Sequence, residues 1–280
     1  MTSQQRRIWL CADDYGISPG VNAAIRELIE RGRLNATSVM TAAPHLDAKE
    51  AMALDRLNAG NKRAALGLHV TLTAPFQPLS KNFTPLVNGH FLQLNSMMRA
   101  AVTRRLNRER LVSEIAAQVQ AFVAAFSRPP DFIDGHQHIH LFPQVRDAVL
   151  KVAAEMAPRA WVRQCGRPGS ARRLKGRKQL LLDILSVSFR RRARRAGVAV
   201  NPAFAGAYDF GRKTAFAEIF PHFLAGLPDN GLIMCHPGFV DDELKQLDPL
   251  TSQREREFSY FNSEDFPRSL AEHGATLATP

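Results

Sequence analysis

Short apolar runs alternate along the chain with segments in which apolar side chains recur every three or four residues. Seven runs are rich in apolar or β-branched residues, as strands buried on both faces are; they cover residues 8–12, 37–42, 65–72, 132–134, 160–163, 231–235 and 275–278. The segments between them have helical periodicity. This alternation predicts an α/β fold with a parallel sheet, and about seven strands in 280 residues indicate a distorted TIM-like (β/α) barrel.

Three helices have the clearest signals. Ser18 and Pro19 form an N-cap and first-turn pair before one apolar stripe. A longer stripe covers residues 111–126, and a third covers residues 145–156. No linker or internal repeat interrupts the alternation, so residues 1–280 are predicted to form a single barrel domain.

Composition argues against a membrane span and against a disulfide framework. No run of about 18 or more apolar residues occurs, and residues 1–7 lead into the first predicted strand without the hydrophobic region of a signal peptide. Cys11, Cys165 and Cys235 are too few and too scattered for disulfides or a cysteine zinc site, so we expect them to be small buried hydrophobic residues. These features predict a cytoplasmic protein.

Most of the net charge of +11 comes from one segment. Between Arg167 and Arg195, eleven lysines and arginines accompany one acid, Asp183, which gives that window a net charge of +10. Its middle, residues 180–189, is apolar, so we expect a basic helical segment around residues 167–196. One hypothesis is an amphipathic element that lies against an anionic membrane; the other is a solvated helix whose apolar stripe packs on the core. Charge alone does not choose between them.

The densest candidate chemistry lies in residues 134–140, Asp-Gly-His-Gln-His-Ile-His. Neutral imidazoles bind metals near physiological pH, and a nearby carboxylate fixes the ring tautomer. Further polar residues lie where other predicted strands end: Asp13 and Asp14 after the first, His69 in the third and His236 after the sixth. Because active sites of (β/α) barrels lie at the carboxyl ends of strands, the pattern predicts a metal site at that rim.

The aspartates and His69 also have structural explanations. Asp13 and Asp14 are typical of a helix cap, although Ser18 already occupies the cap position. His69, within an apolar strand, is by itself typical of a hydrogen-bonded core histidine.

The three clustered histidines need not all act together. An extended backbone would put His136, His138 and His140 on one face, whereas a turn after His136 would aim only some of them inward. We therefore expect one or two of them to be structural or to face the substrate.

Four motifs follow one another along most of the chain. They are Cys-Ala-Asp-Asp-Tyr-Gly-Ile-Ser-Pro-Gly-Val-Asn at 11–22, Gly-Leu-His-Val-Thr-Leu at 67–72, Asp-Gly-His-Gln-His-Ile-His-Leu-Phe-Pro at 134–143 and Cys-His-Pro-Gly at 235–238. In this order they resemble the YdjC-like carbohydrate deacetylase family, which includes chitooligosaccharide deacetylases and a hopanoid-associated branch. The resemblance implies a barrel-like α/β fold and hydrolysis of an N-acetyl group from an acetylated sugar, with one divalent metal held by one Asp and two His.

Carried over residue by residue, the resemblance implies that the metal ligands are Asp14, His69 and His136. It also implies that Asp13 is the general base and His236 a candidate acid. Asp134, His138 and His140 would support the site or face the substrate. Which of the two aspartates is base and which is ligand stays open. An Asp and two His suit zinc, magnesium, manganese, cobalt or iron, and the resemblance favours magnesium or zinc.

Three other functions fit parts of the sequence. A metal-dependent phosphoesterase would use the basic segment to attract phosphate, although such sites often need more carboxylates. A non-haem iron oxygenase also uses two His and a carboxylate. A binding module for nucleic acid or membrane would act through the basic segment but would not need the metal residues, so nucleic acid is not an expected partner. The expected partners are an acetylated amino sugar, free or lipid-linked, an anionic membrane, and a second copy in a homodimer, which the resemblance implies.

Overall fold

The computed structural model describes residues 5–168, 177–210 and 214–280. The described strands are β1 (Arg6–Tyr15), β2 (Ala36–Val39), β3 (Ala65–Val70), β4 (Phe132–Gly135), β5 (Trp161–Val162), β6 (Phe204–Ala205), β7 (Gly231–Cys235) and β8 (Ala275–Leu277). The described helices are α1 (Pro19–Glu30), α2 (Ala48–Arg56), α3 (Leu94–Val102), α4 (Arg108–Phe126), α5 (Val145–Met156), α6 (Arg177–Arg195), α7 (Phe216–Leu224), α8 (Asp242–Leu247), α9 (Ser252–Asn262) and α10 (Asp265–Glu272), with a 3₁₀ helix over His136–Leu141.

The strands form one parallel sheet that curls into a distorted barrel. Their order is β5-β4-β3-β2-β1-β7-β6, and β8 pairs with the first residues of β1. One parallel bridge joins Val162 of β5 to Val200, in the segment that leads into β6. The predicted α/β barrel and all seven predicted strands are therefore confirmed. The prediction omitted β6, whose two residues lie in the small-residue run Pro-Ala-Phe-Ala-Gly-Ala at 202–207, which contains no β-branched residue.

Burial explains why the strands lack polar alternation. All six residues of β3 and all five of β7 are buried, as expected for parallel strands covered on both faces. Gly67 in β3 is required for packing, because a Cβ there would lie 2.3 Å from the ring of Phe132 on the neighbouring strand. That ring also stacks on Trp161 of β5, with centroids 4.6 Å apart. Close packing of this kind fixes the positions of the strand ends relative to one another.

Local signals place several helices where the sequence predicted them. Ser18 caps α1, and its hydroxyl accepts a hydrogen bond from the Val21 amide at 3.3 Å. The three cysteines are buried, as the sequence predicted. In the parts of the chain that the structure describes, no helix is both long enough and apolar enough to cross a membrane.

The basic segment is helical over a shorter range than predicted. Helix α6 covers Arg177–Arg195, whereas Arg167 lies in a loop and pairs with Asp183 of the helix at 2.8 Å. The predicted helical positions 169–176 lie outside the described residues.

Candidate active site

Side chains from three strand ends converge at the carboxyl rim of the barrel. Asp14 lies near the end of β1, His69 in β3, and His136 directly after β4. One carboxylate oxygen, Oδ1 of Asp14, lies 3.2 Å from Nε2 of His69 and 3.0 Å from Nδ1 of His136. All three side chains are buried, and their candidate ligand atoms lie within 4.8 Å of one another. We call these three residues the Asp14 cluster.

Irregular backbone aims these side chains. The register of β1 against β2 shifts between Ala12 and Tyr15, and Asp14 has a φ of 71°, in the left-handed region that favours glycine. Such a conformation costs about 1–3 kcal/mol and persists where the surrounding structure holds it. Gln137 and His138 have φ values of 54° and 60°. The chain therefore turns directly after His136, which confirms the turn rather than the extended alternative.

Buried partners fix the orientation of each member of the Asp14 cluster. Nδ1 of His69 lies 2.6 Å from Oδ1 of Asp134 and 3.0 Å from the Ser38 hydroxyl, so its Nε2 faces Asp14. The other oxygen of Asp14 accepts a hydrogen bond from Arg254 at 2.6 Å. A carboxylate behind a ligand histidine is a common arrangement in metal sites. One carboxylate oxygen and two imidazole nitrogens therefore remain directed at one point and fit a divalent cation.

Asp13 belongs to a different contact network. Both of its carboxylate oxygens accept hydrogen bonds from Arg163, at 2.6 and 2.7 Å. The same guanidinium lies 2.5 Å from Oδ2 of Asp134 and 3.1 Å from Sγ of Cys11. Cys11, Asp13 and Asp134 also bring their ligand atoms within 4.8 Å of one another. Arg163 already supplies a positive charge to this second group, which we call the Arg163 cluster.

The two neighbouring aspartates differ in acidity. Burial raises the pKa of Asp13, and Arg163 offsets only part of that effect. Burial also acts on Asp14, but the charges of Arg254 and His136 outweigh it and hold the pKa of Asp14 well below its usual range. Environments that push two carboxyl pKa values apart are typical of sites that assign them separate roles.

His69 and Asp134, which are in contact, also have shifted pKa values. Burial lowers the pKa of His69, but the charges of Asp134 and Asp13 outweigh it and raise that pKa to about 10. A bound cation would compete with that proton. Burial raises the pKa of Asp134, but Arg163 and His69 outweigh it and lower that pKa overall.

His236 occupies the rim next to β1. It directly follows Cys235, the last residue of β7, which pairs with Ala12 of β1. His236 and Asp13 are therefore the next residues after this pair on the two neighbouring strands. Its backbone N–H donates to Oε2 of Glu257 at 2.5 Å, and its ring packs edge-on against Phe210 at 5.6 Å.

Glu257 is buried behind this histidine. Its other oxygen accepts a hydrogen bond from the hydroxyl of Tyr208 at 2.6 Å. Burial raises the pKa of Glu257 to about 7, although both hydrogen bonds oppose the shift.

His138 and His140, the other two histidines of this segment, have contacts with residues outside the Asp14 cluster. Nε2 of His140 lies 2.9 Å from the backbone oxygen of Arg163, and burial lowers the pKa of His140 to about 4, so the ring is neutral. Nδ1 of His138 lies 3.6 Å from Sγ of Cys165, and its ring packs edge-on against Phe204. His140 thus supports the strand that carries Arg163.

Sequence reasoning missed four residues that hold the site: Ser38, Arg163, Arg254 and Glu257. Arg163 had a usable signal, because it ends a predicted strand as the other site residues do. Arg254 and Glu257 lie in a charged run of α9 that is typical of a solvated helix, and nothing local marks them as buried.

Known proteins resemble this chain in sequence and in fold. A chitooligosaccharide deacetylase of Serratia marcescens is 28% identical over 275 residues, which cover 96% of this chain and 95% of that protein. Another, from Citrobacter koseri, is 26% identical over 282 residues and 98% of each chain. The solved structure of an Enterococcus faecalis V583 protein, described as a candidate cellobiose-phosphate cleavage protein, has a TM-score of 0.76 at 20% identity, covers 98% of this chain and 97% of that one, and shows the same fold. The family model described as YdjC-like protein matches residues 7–272, so the chain belongs to the YdjC-like family.

Proposed function

We propose that the protein is a metal-dependent hydrolase that removes the acetyl group from an N-acetylated amino sugar. One observation carries the proposal: the ligand atoms of the Asp14 cluster meet beside a second carboxylate, Asp13, which Arg163 holds apart from them. The relatives in S. marcescens and C. koseri are chitooligosaccharide deacetylases, which supports this class of reaction.

Hydrolysis of an acetamide needs a stronger nucleophile than neutral water and stabilisation of the oxyanion that forms. A divalent cation held by Asp14, His69 and His136 would supply both, because it acidifies water and polarises a carbonyl group. Three protein ligands leave positions open for water and substrate, as a catalytic site requires. We propose magnesium or zinc as the cation.

Asp13 is the general base in this proposal, and Asp14 is the ligand. The raised pKa of Asp13 makes it a better proton acceptor than an ordinary aspartate. Arg163 fixes the plane of its carboxylate with two hydrogen bonds. Asp14 stays ionised because its pKa is held low, which suits a ligand that keeps its negative charge.

His236 is the candidate general acid. An amine is too basic to leave as an anion, so the departing nitrogen must receive a proton. The position of His236 at the end of β7, next to β1, puts an imidazole at the rim that carries Asp13. Its hydrogen bond to the buried Glu257 fixes the backbone at the start of that loop.

A phosphoesterase with two metals has less support. Among the described residues, the second group of potential ligands is Cys11, Asp13 and Asp134, and the guanidinium of Arg163 lies within 3.1 Å of all three side chains. A second cation would have to displace that arginine. The electrostatics of this group therefore favour one metal.

Acetate release from oligomers of N-acetylglucosamine tests the proposal. We expect activity in protein purified without chelator, loss of activity after dialysis against EDTA, and recovery on addition of zinc or magnesium. A lipid-linked N-acetylated glycan is the other proposed substrate and is tested in the same assay. Turnover of a phosphodiester without acetate release from any acetylated sugar would contradict the proposal.

A further inference from the structure

Helix α6 has one face that packs on the core. Leu182, Phe189 and Ala193 are buried. The Ser186 hydroxyl accepts a hydrogen bond from the Cys165 amide at 3.0 Å, and Asp183 pairs with Arg167. The helix is therefore fixed to the barrel, and the apolar stripe on its inner face packs on the core.

The opposite face of α6 exposes a second apolar stripe. The exposed fractions of its large aliphatic side chains are 57% for Leu180, 43% for Leu181, 61% for Ile184 and 56% for Val187. Leu180, Ile184 and Val187 have the spacing of one helix face. Single exposed apolar residues are normal on a protein surface, but four within eight positions of one helix form a patch.

Arginines continue the same stripe toward the end of the helix. Arg191, Arg194 and Arg195 are exposed, and they lie 11, 14 and 15 positions after Leu180, which keeps them on its face. Arg192 and Arg195 share a surface groove with Arg104, Arg108 and Lys151 of neighbouring elements. Two acids offset part of this charge: Asp147 pairs with Arg192 at 3.1 Å, and Glu155 pairs with Lys151. The outer face of α6 thus changes from apolar to strongly basic along its length.

We propose that this outer face binds an anionic lipid surface. The aliphatic side chains would enter the boundary between headgroups and acyl chains, and the arginines would contact the phosphates. A second copy of the chain is a poorer partner, because its own outer face is equally basic and would offer the arginines no negative charge. A nucleic acid would be bound by the arginines, but the aliphatic stripe offers no ring on which bases could stack.

Binding to vesicles tests this proposal independently of the catalytic one. The full chain is sedimented with vesicles of phosphatidylcholine alone or with about one third phosphatidylglycerol. We expect binding to the anionic vesicles only, weakened by salt, since charged surface contacts are screened. Replacement of Arg191, Arg194 and Arg195 by Gln, or of Ile184 and Val187 by Gln, is expected to lower the binding constant at least tenfold and to leave release of acetate from a soluble oligomer unchanged.

Matched controls replace exposed residues elsewhere. Met52 and Val102 are 50% and 60% exposed on other helices, and their change to Gln should leave vesicle binding unaltered, as should Gln at the exposed Arg56, Arg63 and Arg256. Hydrogen exchange of the unmodified protein adds a test that needs no variant: anionic vesicles should protect the amides of 180–195. Absence of binding, binding that the α6 variants retain, or a dimer that dissociates in the Ile184 and Val187 variant would each overturn the proposal.

Discussion

Two clusters of buried ligand-type side chains lie side by side at the rim, and they differ in what neutralises them. The Arg163 cluster contains its own cation, since one guanidinium contacts Cys11, Asp13 and Asp134. In the Asp14 cluster, Arg254 contacts only the outer oxygen of Asp14, while the inner oxygen faces the rings of His69 and His136. A buried charge needs a partner. Arg163 therefore neutralises the first cluster and holds Asp13 in place, whereas in our proposal the second cluster takes its positive charge from a bound cation.

The largest effect should follow from removing a ligand of the Asp14 cluster. His136→Gln takes away one of three donors, and a metal contributes several kcal/mol to hydrolysis, so we expect kcat/KM to fall by about 10⁴-fold or more. Bound metal, measured by elemental analysis, should fall with it. His273→Gln, just before β8 at the amino end of the barrel and so opposite the rim, is the control and should change neither quantity. Full activity in the His136 variant would remove the metal hypothesis.

Breaking the Arg163 cluster should instead affect stability. Arg163→Met leaves buried acids without their partner, a change that typically costs about 3–5 kcal/mol. Urea denaturation should show this loss in the free energy of unfolding. The corresponding loss for His136→Gln should be much smaller. Equal losses in the two variants would mean that the clusters do not differ as described.

Asp13 belongs to the Arg163 cluster by its contacts, but we propose that it is the general base of the reaction. Its replacement tests whether Asp13 is the base and Asp14 the ligand. Asp13→Asn removes the general base, which is worth about 10²–10⁴-fold in rate, and leaves the metal ligands in place. We expect kcat to fall by about 10³-fold with metal content unchanged. Loss of metal in Asp13→Asn, together with its retention in Asp14→Asn, would reverse the two assignments.

The smallest effect concerns pH and the acid behind His236. With a pKa near 7 when folded and an ordinary value of 4.5 when unfolded, Glu257 keeps a proton in the folded state that the unfolded chain has lost. Its contribution therefore favours folding at low pH and is lost as pH rises through 7. Between pH 5 and pH 8 the unfolding free energy of the unmodified protein should fall by about 2 kcal/mol more than that of Glu257→Gln. Parallel pH profiles would contradict this.

Site residues that stand in local motifs could be predicted from the sequence, whereas residues that act through partners far away in the chain could not. Asp14, His69 and His136 stand in recognisable motifs at strand ends, so their convergence could be predicted. Arg254 could not be assigned, because it lies in a charged helix and pairs with an aspartate 240 residues earlier. Arg163 ends a predicted strand, but nothing local indicated its pairing with Asp13, 150 residues earlier. The turn at Gln137 depends on tertiary packing, and sequence alone left it as one of two alternatives. The cytoplasmic location and the homodimer stay predictions.

The position of a bound cation decides whether the Asp14 cluster is a metal site. Crystals soaked in zinc and measured at its absorption edge would show where the ion binds through anomalous scattering. We expect one strong peak about 2.0–2.2 Å from Oδ1 of Asp14, Nε2 of His69 and Nδ1 of His136. A peak among Cys11, Asp13 and Asp134, or none at either cluster, would contradict this expectation.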